Sequence, residues 1–185
     1  MGRLARGPAV RLIAFDVLLD AVAAGRDDRR MPTWSDFAAA APQLAAQVRE
    51  RLDAHTHKTL ATLRRDGSPR ISGSETILHD GELWIGSMWE ARKARDLQRD
   101  PRFALHSGSD EPPALGDAKL AGRAEEIVDP AVIDRVIGDH KPPGPAHLFR
   151  LDLDEVSHLG LNATGDGIVI TVWTPDGGVR TIERR

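Results

Sequence analysis

The chain has 185 residues, 41% of them hydrophobic, enough for one domain with a sizeable core. Its 25 Lys and Arg stand against 28 Asp and Glu, so the basic excess of a general nucleic-acid binder is missing, although a local basic pocket is not excluded. There are no cysteines, which removes disulfides, thiolate metal sites and cysteine nucleophiles and fits a cytoplasmic protein.

Residues 10–24 are apolar but interrupted by Arg11, Asp16 and Asp20, too short and too charged to span a bilayer and unlike a secretory leader. Leu12, Phe15, Leu19 and Val22 fall at helical spacing. A charged run over residues 25–30 then leads into Met31-Pro32. We expect residues 1–30 to be an N-terminal extension outside the fold and residues 31–185 to be the domain, with Met31 as the natural start. The alternative is an N-terminal helix packed on the domain or on a partner.

Thr33 or Ser35 is placed to cap a helix over residues 36–53, interrupted or restarted near Pro42, with Leu44, Val48, Arg51 and Leu52 on one face. Strands are expected over residues 58–64, 69–78 and 82–87. Asp66-Gly67 and Asp80-Gly81 stand between them, the strongest short-range hairpin signal. A short basic helix follows over residues 92–99 and stops at Asp100-Pro101. Further strands are expected over residues 103–107, 119–128, 148–161, 168–173 and 179–182, with a helix over residues 130–137 opened by Asp129-Pro130. Residues 108–116 read as a loop and residues 141–145 as a Pro-rich connector. Short strands joined antiparallel predict a mainly β, α+β domain: a closed barrel or sandwich with helices at its ends.

The candidate chemistry sits at the start of the basic helix. A strand that delivers the chain to a helix N-terminus carrying Arg92 and Lys93 makes a phosphate cradle, because free N–H groups and the positive helix end point at the ligand. Arg adds a forked donor and Lys a mobile charge. The alternative is an ordinary solvated face formed by Arg92, Lys93, Arg95 and Arg99. On the strand before it, Arg70, Ser72 and Ser74 share one face, and Ile71, Gly73, Glu75 and Ile77 the other. Gly73 between two serines packs poorly but lets a flat ring approach the backbone; an edge strand or bulge is the alternative. His55 and His57 lie two apart with no third ligand near and read as ordinary surface histidines. His106, His140, His147 and His158 are scattered without a partner at motif spacing. Trp84 reads as core; Trp89 and Trp173 are each candidates to shield a ring edge or to pack at a subunit interface, with core packing the default for every one of them. The lack of an obvious acid, base or nucleophile fits a protein whose cofactor does the redox chemistry.

The segments TLATLRRDGSPRISG, ELWIGSMWEARKARDLQRDPRFAL and DAKLAGRAEEI resemble the pyridoxamine 5'-phosphate oxidase-like, FMN-binding split-barrel flavoproteins, best over residues 55–128. The resemblance implies an antiparallel split β-barrel with peripheral helices, and a homodimer with two cofactor sites between subunits. It also implies a flavin lying along Arg70, Ile71, Ser72, Gly73 and Ser74, touched by Ser87 and Met88, with its phosphate held by Arg92 and Lys93. Relatives of this fold use the deazaflavin coenzyme F-420 in place of FMN, and a few bind haem. There are departures. Glu75 stands where the vitamin-oxidising members carry a basic residue. Asp117 stands near where they offer a Gln, and the tail GIVITVWTPDGGVRTIERR lacks their Arg-rich motif. The expectation is therefore an FMN- or F-420-dependent oxidoreductase acting on a small organic molecule other than pyridoxamine phosphate, with no nucleic-acid or membrane partner. The competing class is a non-enzymatic flavin- or haem-binding carrier or sensor.

Overall fold

Both hairpin signals become hairpins. In a computed structural model that describes residues 30–108, 116–138 and 144–185, β1 (Lys58–Leu63) pairs antiparallel with β2 (Pro69–Ser74), and β3 (Thr76–His79) with β4 (Glu82–Met88). Asp80 and Gly81 both take positive φ, 52° and 74°, the turn whose twist matches the flanking strands. Expectations for residues 1–29, and for most of the loop at 109–115 and the connector at 139–143, lie outside the described residues.

The strand expected over residues 69–78 is two strands, broken at Glu75, and the break has a purpose. The sheet runs β2-β1-β5-β6-β7-β4-β3, where β5 is Arg102–His106, β6 Asp117–Ile127 and β7 Ala146–Leu161. β2 opens this path and β3 ends it, yet only Glu75 separates them in the chain. One covalent step thus joins the two outer strands, β2 comes up against β4, and the sheet closes into a split barrel. The break re-aims the chain from one hydrogen-bonding partner, β1, to another, β4.

β7 is the longest strand, 16 residues, and it changes partner along its length. Its first residues pair with β4, while its last pair with β8 (Ile168–Thr174), which carries β9 (Gly178–Arg184). A register shift at Ala121/Gly122 bends β6 against β7; a Cβ on Gly122 would run into the carbonyl oxygen of Asp152.

The helices follow their caps. Thr33 and Asp36 form a capping box that starts α1 (Trp34–Ala40), and Pro42 opens α2 (Pro42–Ala54), the restart expected from the sequence. α2 buries Leu44, Val48, Arg51 and Leu52 as their spacing requires. Phe37 packs on Trp34 and Trp173, with ring centroids 5.4 and 5.0 Å apart, and closes a core that includes Leu60, Leu120 and Leu151. α4 (Pro130–Ile137), capped by Asp129, joins Trp84 and Leu148 in a second cluster. Among the described residues no helix is long and apolar enough to cross a membrane, and no His/Asp/Glu group is arranged to hold a metal.

Candidate cofactor site

The end of β4 and the start of α3 (Arg92–Arg99) stand beside β2, and the side chains at this junction line two recesses. The junction itself is pinned by a residue that sequence spacing did not single out. His147 Nε2 accepts the N–H of Glu90 at 3.2 Å, and His147 Nδ1 lies 2.6 Å from Glu126 Oε1. With Nε2 accepting, Nδ1 carries the proton and donates it to Glu126. Trp89 stacks flat on the buried imidazole, 4.7 Å between centroids and 7° between planes. These contacts hold Glu90 at φ 59°, in the left-handed region, so the chain turns sharply into α3. His147 was missed because its carboxylate partner stands 21 residues away, on the neighbouring strand.

The smaller recess has a volume of about 330 Å³ and is lined by Gly73, Ser74, Glu75, Ser87, Met88 and Lys93 among others. Lys93 Nζ donates to the Gly73 carbonyl at 2.8 Å and to Ser74 Oγ at 3.2 Å, tying α3 to β2. Burial pushes the Lys93 ammonium below the ordinary lysine value, and the nearby Glu75 carboxylate opposes that fall. Ser87 is only 7% exposed, and its hydroxyl has no hydrogen-bond partner among the described residues. A buried hydroxyl without a partner costs about 1–3 kcal/mol unless a water or ligand supplies the bond, and this one stands in the wall of the recess.

Gly73 faces the same recess. It sits opposite Thr59 in an uninterrupted register, so the bulge alternative is not what the strand shows; β2 does end the sheet path, as the edge alternative has it. A Cβ added to Gly73 would meet nothing within 4 Å. The protein itself gives no conformational or packing reason for a glycine there. A bare strand backbone beside an orphaned hydroxyl fits a flat ring laid against β2.

The larger recess, about 870 Å³, is a basic cleft with six arginines (Arg64, Arg65, Arg70, Arg92, Arg95 and Arg99) against Asp66, Glu90 and Asp96. Its keystone is Asp96, 3% exposed, which accepts from Arg70 Nε at 2.6 Å, from Thr62 Oγ1 at 3.1 Å and from Arg99 at 3.1 Å. Burial pushes its carboxyl up, but the hydrogen bonds from Arg70, Arg99 and Thr62 outweigh burial and hold it below the ordinary carboxylate value. The signal for Asp96 in the sequence was slight: it is the one acid in the basic helix RKARDLQR.

The residues expected from the sequence therefore divide. Gly73, Ser74, Ser87, Met88 and Lys93 line the small recess, and Arg70 and Arg92 line the cleft. Arg92 and Lys93, consecutive on a helix and about 100° apart around its axis, open onto different recesses. Ile71 and Ser72 line neither, and Ile71 is 74% exposed. The helix start has Ala91 at its cap position and no side-chain cap, so its first-turn N–H groups receive no side-chain acceptor there. Glu75 stands 3.6 Å from His57 at the rim of the small recess, and Asp117 lies 3.5 Å from His106 and 3.6 Å from Lys119.

The sequence model of the family described as "Pyridoxamine 5'-phosphate oxidase" matches residues 44–160, which span β1, β2, β4 and α3 and thus both recesses. The chain belongs to the pyridoxamine 5'-phosphate oxidase family. Curated proteins provide no match. Solved structures of the family share the fold at low identity. A Clostridium acetobutylicum protein related to general stress protein 26 is 16% identical, covers 71% of this chain and 94% of its own, and has a TM-score of 0.56. A pyridoxamine 5'-phosphate oxidase-related, FMN-binding protein from Nostoc punctiforme is 16% identical, with coverage of 80% and 97% and a TM-score of 0.52. PhzG from Burkholderia lata, solved with tetrahydrophenazine-1-carboxylic acid, is 15% identical, with coverage of 87% and 100% and a TM-score of 0.54. The split barrel of this chain, a mainly antiparallel sheet with four helices among the described residues, is the fold shared with these structures.

Proposed function

We propose that this family member is a flavin-dependent oxidoreductase, using FMN or the deazaflavin F-420, that acts on a small organic substrate other than pyridoxamine phosphate. The observation that carries the reading is the small recess itself, where a buried, unpartnered Ser87 hydroxyl faces a bare Gly73 backbone. A ring in that recess and an anionic tail in the adjoining cleft describe one elongated ligand crossing the start of α3. The FMN-binding description of the Nostoc punctiforme neighbour supports a flavin, and the Burkholderia lata complex supports a small organic partner.

When bound, the flavin supplies the electron-transfer chemistry. The chain's residues bind and orient it. Arg92 meets the phosphate, Lys93 sets the distance between α3 and β2, and Ser87 donates or accepts at the ring edge. Gly73 leaves room for the ring face. Glu75 places a negative charge at the rim, which disfavours an anionic substrate and accords with the exclusion of pyridoxamine phosphate. Ile71, Met88 and Trp89 are exposed apolar residues beside the site, at 74%, 69% and 56%. They suit coverage by a second subunit in a homodimer, which sedimentation of the full chain measures. The domain boundary at Met31 belongs to the same reading.

The direct experiment is an absorbance spectrum of the purified protein, before and after mixing with FMN or F-420 and removing unbound ligand. Retention of one of them is expected; retention of neither overturns the reading.

Two substitutions probe the small recess. Ser87→Ala removes a hydroxyl that has no protein partner, so the ligand-free protein melts no lower than the parent. Flavin affinity falls by about 0.5–1.5 kcal/mol. Isothermal titration beside thermal melts checks both halves, and unchanged affinity rules out contact with the hydroxyl. Gly73→Val keeps the Lys93 bond, which goes to the backbone carbonyl, and gives the strand a residue that suits it better. The ligand-free variant is expected to be as stable as the parent, while flavin binding weakens at least tenfold. A destabilised variant with normal affinity tells against a ring at β2.

A further inference from the structure

The arginine cleft is larger and more positive than one phosphate requires. Each carboxylate lining it is already engaged. Asp66 accepts from the Ser68 N–H at 3.0 Å and its hydroxyl at 2.7 Å, Glu90 holds Arg95 at 2.8 Å, and Asp96 holds Arg70 and Arg99. That leaves the guanidinium groups of Arg64, Arg65 and Arg92 without a hydrogen bond or ion pair among the described residues. The exposed Asp66 carboxyl is held below its ordinary value by its Ser68 hydrogen bonds, to which the Arg64 charge only adds.

These three arginines stand on ordered supports. Arg64 and Arg65 sit at the β1–β2 hairpin tip, closed by the Arg64 N–H to Ser68 O at 2.8 Å and the Gly67 N–H to Arg64 O at 2.9 Å. Arg99 donates to the Leu63 carbonyl and so ties the end of α3 to the root of the same hairpin. Arg92 faces the tip from the other end of α3. Unneutralised guanidinium groups around one cleft repel one another, and each offers up to five donors. A volume of about 870 Å³ is by itself the size of a whole small-molecule site.

We propose that this cleft is a polyanion subsite, taking two or more adjoining anionic groups of the phosphate class, of which the group at Arg92 is only the first. The proposal rests on the flavin reading only in giving Arg92 a cofactor phosphate. The hairpin arginines, Arg64 and Arg65, receive the additional anions, whether they belong to an extended cofactor or to a separate ligand. A single phosphate leaves the hairpin arginines unpaired; an oligophosphate spans from the helix start to the hairpin tip.

The test is calorimetric titration of the full chain with inorganic orthophosphate, pyrophosphate and tripolyphosphate at matched ionic strength. Affinity is expected to rise at least tenfold from orthophosphate to tripolyphosphate. The double variant Arg64→Ala/Arg65→Ala, which removes no hydrogen bond or ion pair among the described residues, is expected to abolish that rise and to change FMN affinity less than twofold. The variant Arg180→Ala/Arg184→Ala on β9 makes the same change in net charge away from the cleft, and is expected to preserve the rise. Equal affinity for the three anions overturns the proposal, and so does an equal loss in both double variants, which marks a general charge effect. Repeating the tripolyphosphate titration on FMN-saturated protein distinguishes the sources: retained binding indicates a separate ligand, and competition indicates the cofactor's own extension, both within the proposal. FMN binding with no discrimination among the three anions defeats the subsite and leaves the flavin reading standing. Tripolyphosphate binding without flavin binding does the reverse.

Discussion

Replacing Arg92 and Lys93 together with alanine is expected to lower FMN affinity by at least about 1.5–3 kcal/mol, the charge-assisted phosphate contact of Arg92, with a further loss from loosening β2 when Lys93 goes. That is at least about one to two orders of magnitude in the dissociation constant. The two residues do different things, so the single variants separate them. Among the described residues the Arg92 guanidinium has no hydrogen-bond or ion-pair partner, and it opens onto the cleft, so Arg92→Ala leaves the melting temperature alone and weakens FMN while sparing riboflavin, which lacks the phosphate. Lys93 bonds the Gly73 carbonyl and Ser74 Oγ, so Lys93→Ala loosens β2 from α3 and weakens FMN and riboflavin alike. Titrations of each variant with FMN, riboflavin and F-420 check this. Unchanged affinity in the double variant, for whichever ligand the parent binds, removes the phosphate assignment.

Asp96→Ala is expected to cost about 1–3 kcal/mol of folding stability, because it leaves the partly exposed Arg70 and Arg99 without their shared carboxylate. Thr62 loses its acceptor as well. The sign of the pH dependence follows from the direction of the carboxyl's shift. Its folded-state value lies below the unfolded one, so the stabilisation is present above the unfolded carboxylate value, near pH 4, and is lost as pH falls through the lower folded value. Chemical denaturation at neutral pH and across the acid range measures both effects. A variant as stable as the parent at neutral pH, or with an unaltered acid limb, shows that the Asp96 cluster contributes nothing. Asp96→Asn keeps the shape and is expected to lose the same acid-range contribution, which separates charge from packing.

Local chemistry was legible in the sequence wherever the signal was local. A cap at Thr33 or Ser35, the restart at Pro42, the two Asp-Gly hairpins and the limits of α3 each depend on residues within a few positions of one another; the structure settles the cap on Thr33, with Asp36 closing a capping box. The alternation of Arg70, Ile71, Ser72 and Gly73 was legible for the same reason, since a strand has a period of two. The resemblance in residues 55–128 pointed to the family, and the family match and the fold agree with it.

What depended on distance in the chain was not legible. The break at Glu75 looks like continuous strand in the sequence, because both sides are β-forming; only closure of the barrel, with β2 on β1 and β3 on β4, requires it. Nothing local in RKARDLQR marks Asp96 as buried; its burial depends on Thr62 and Arg70, which come from other strands. His147 and Glu126 became a pair only through the β6–β7 register. Arg92 and Lys93 were rightly placed at the helix start, but adjacency in sequence says nothing of the walls around them. The sequence alone determined which residues sit at the turn from β4 into α3, since turns and helix ends are set by neighbours. The tertiary structure alone decided that this turn separates a ring-sized recess from an arginine cleft, because burial and charge compensation arise only when distant strands are brought together.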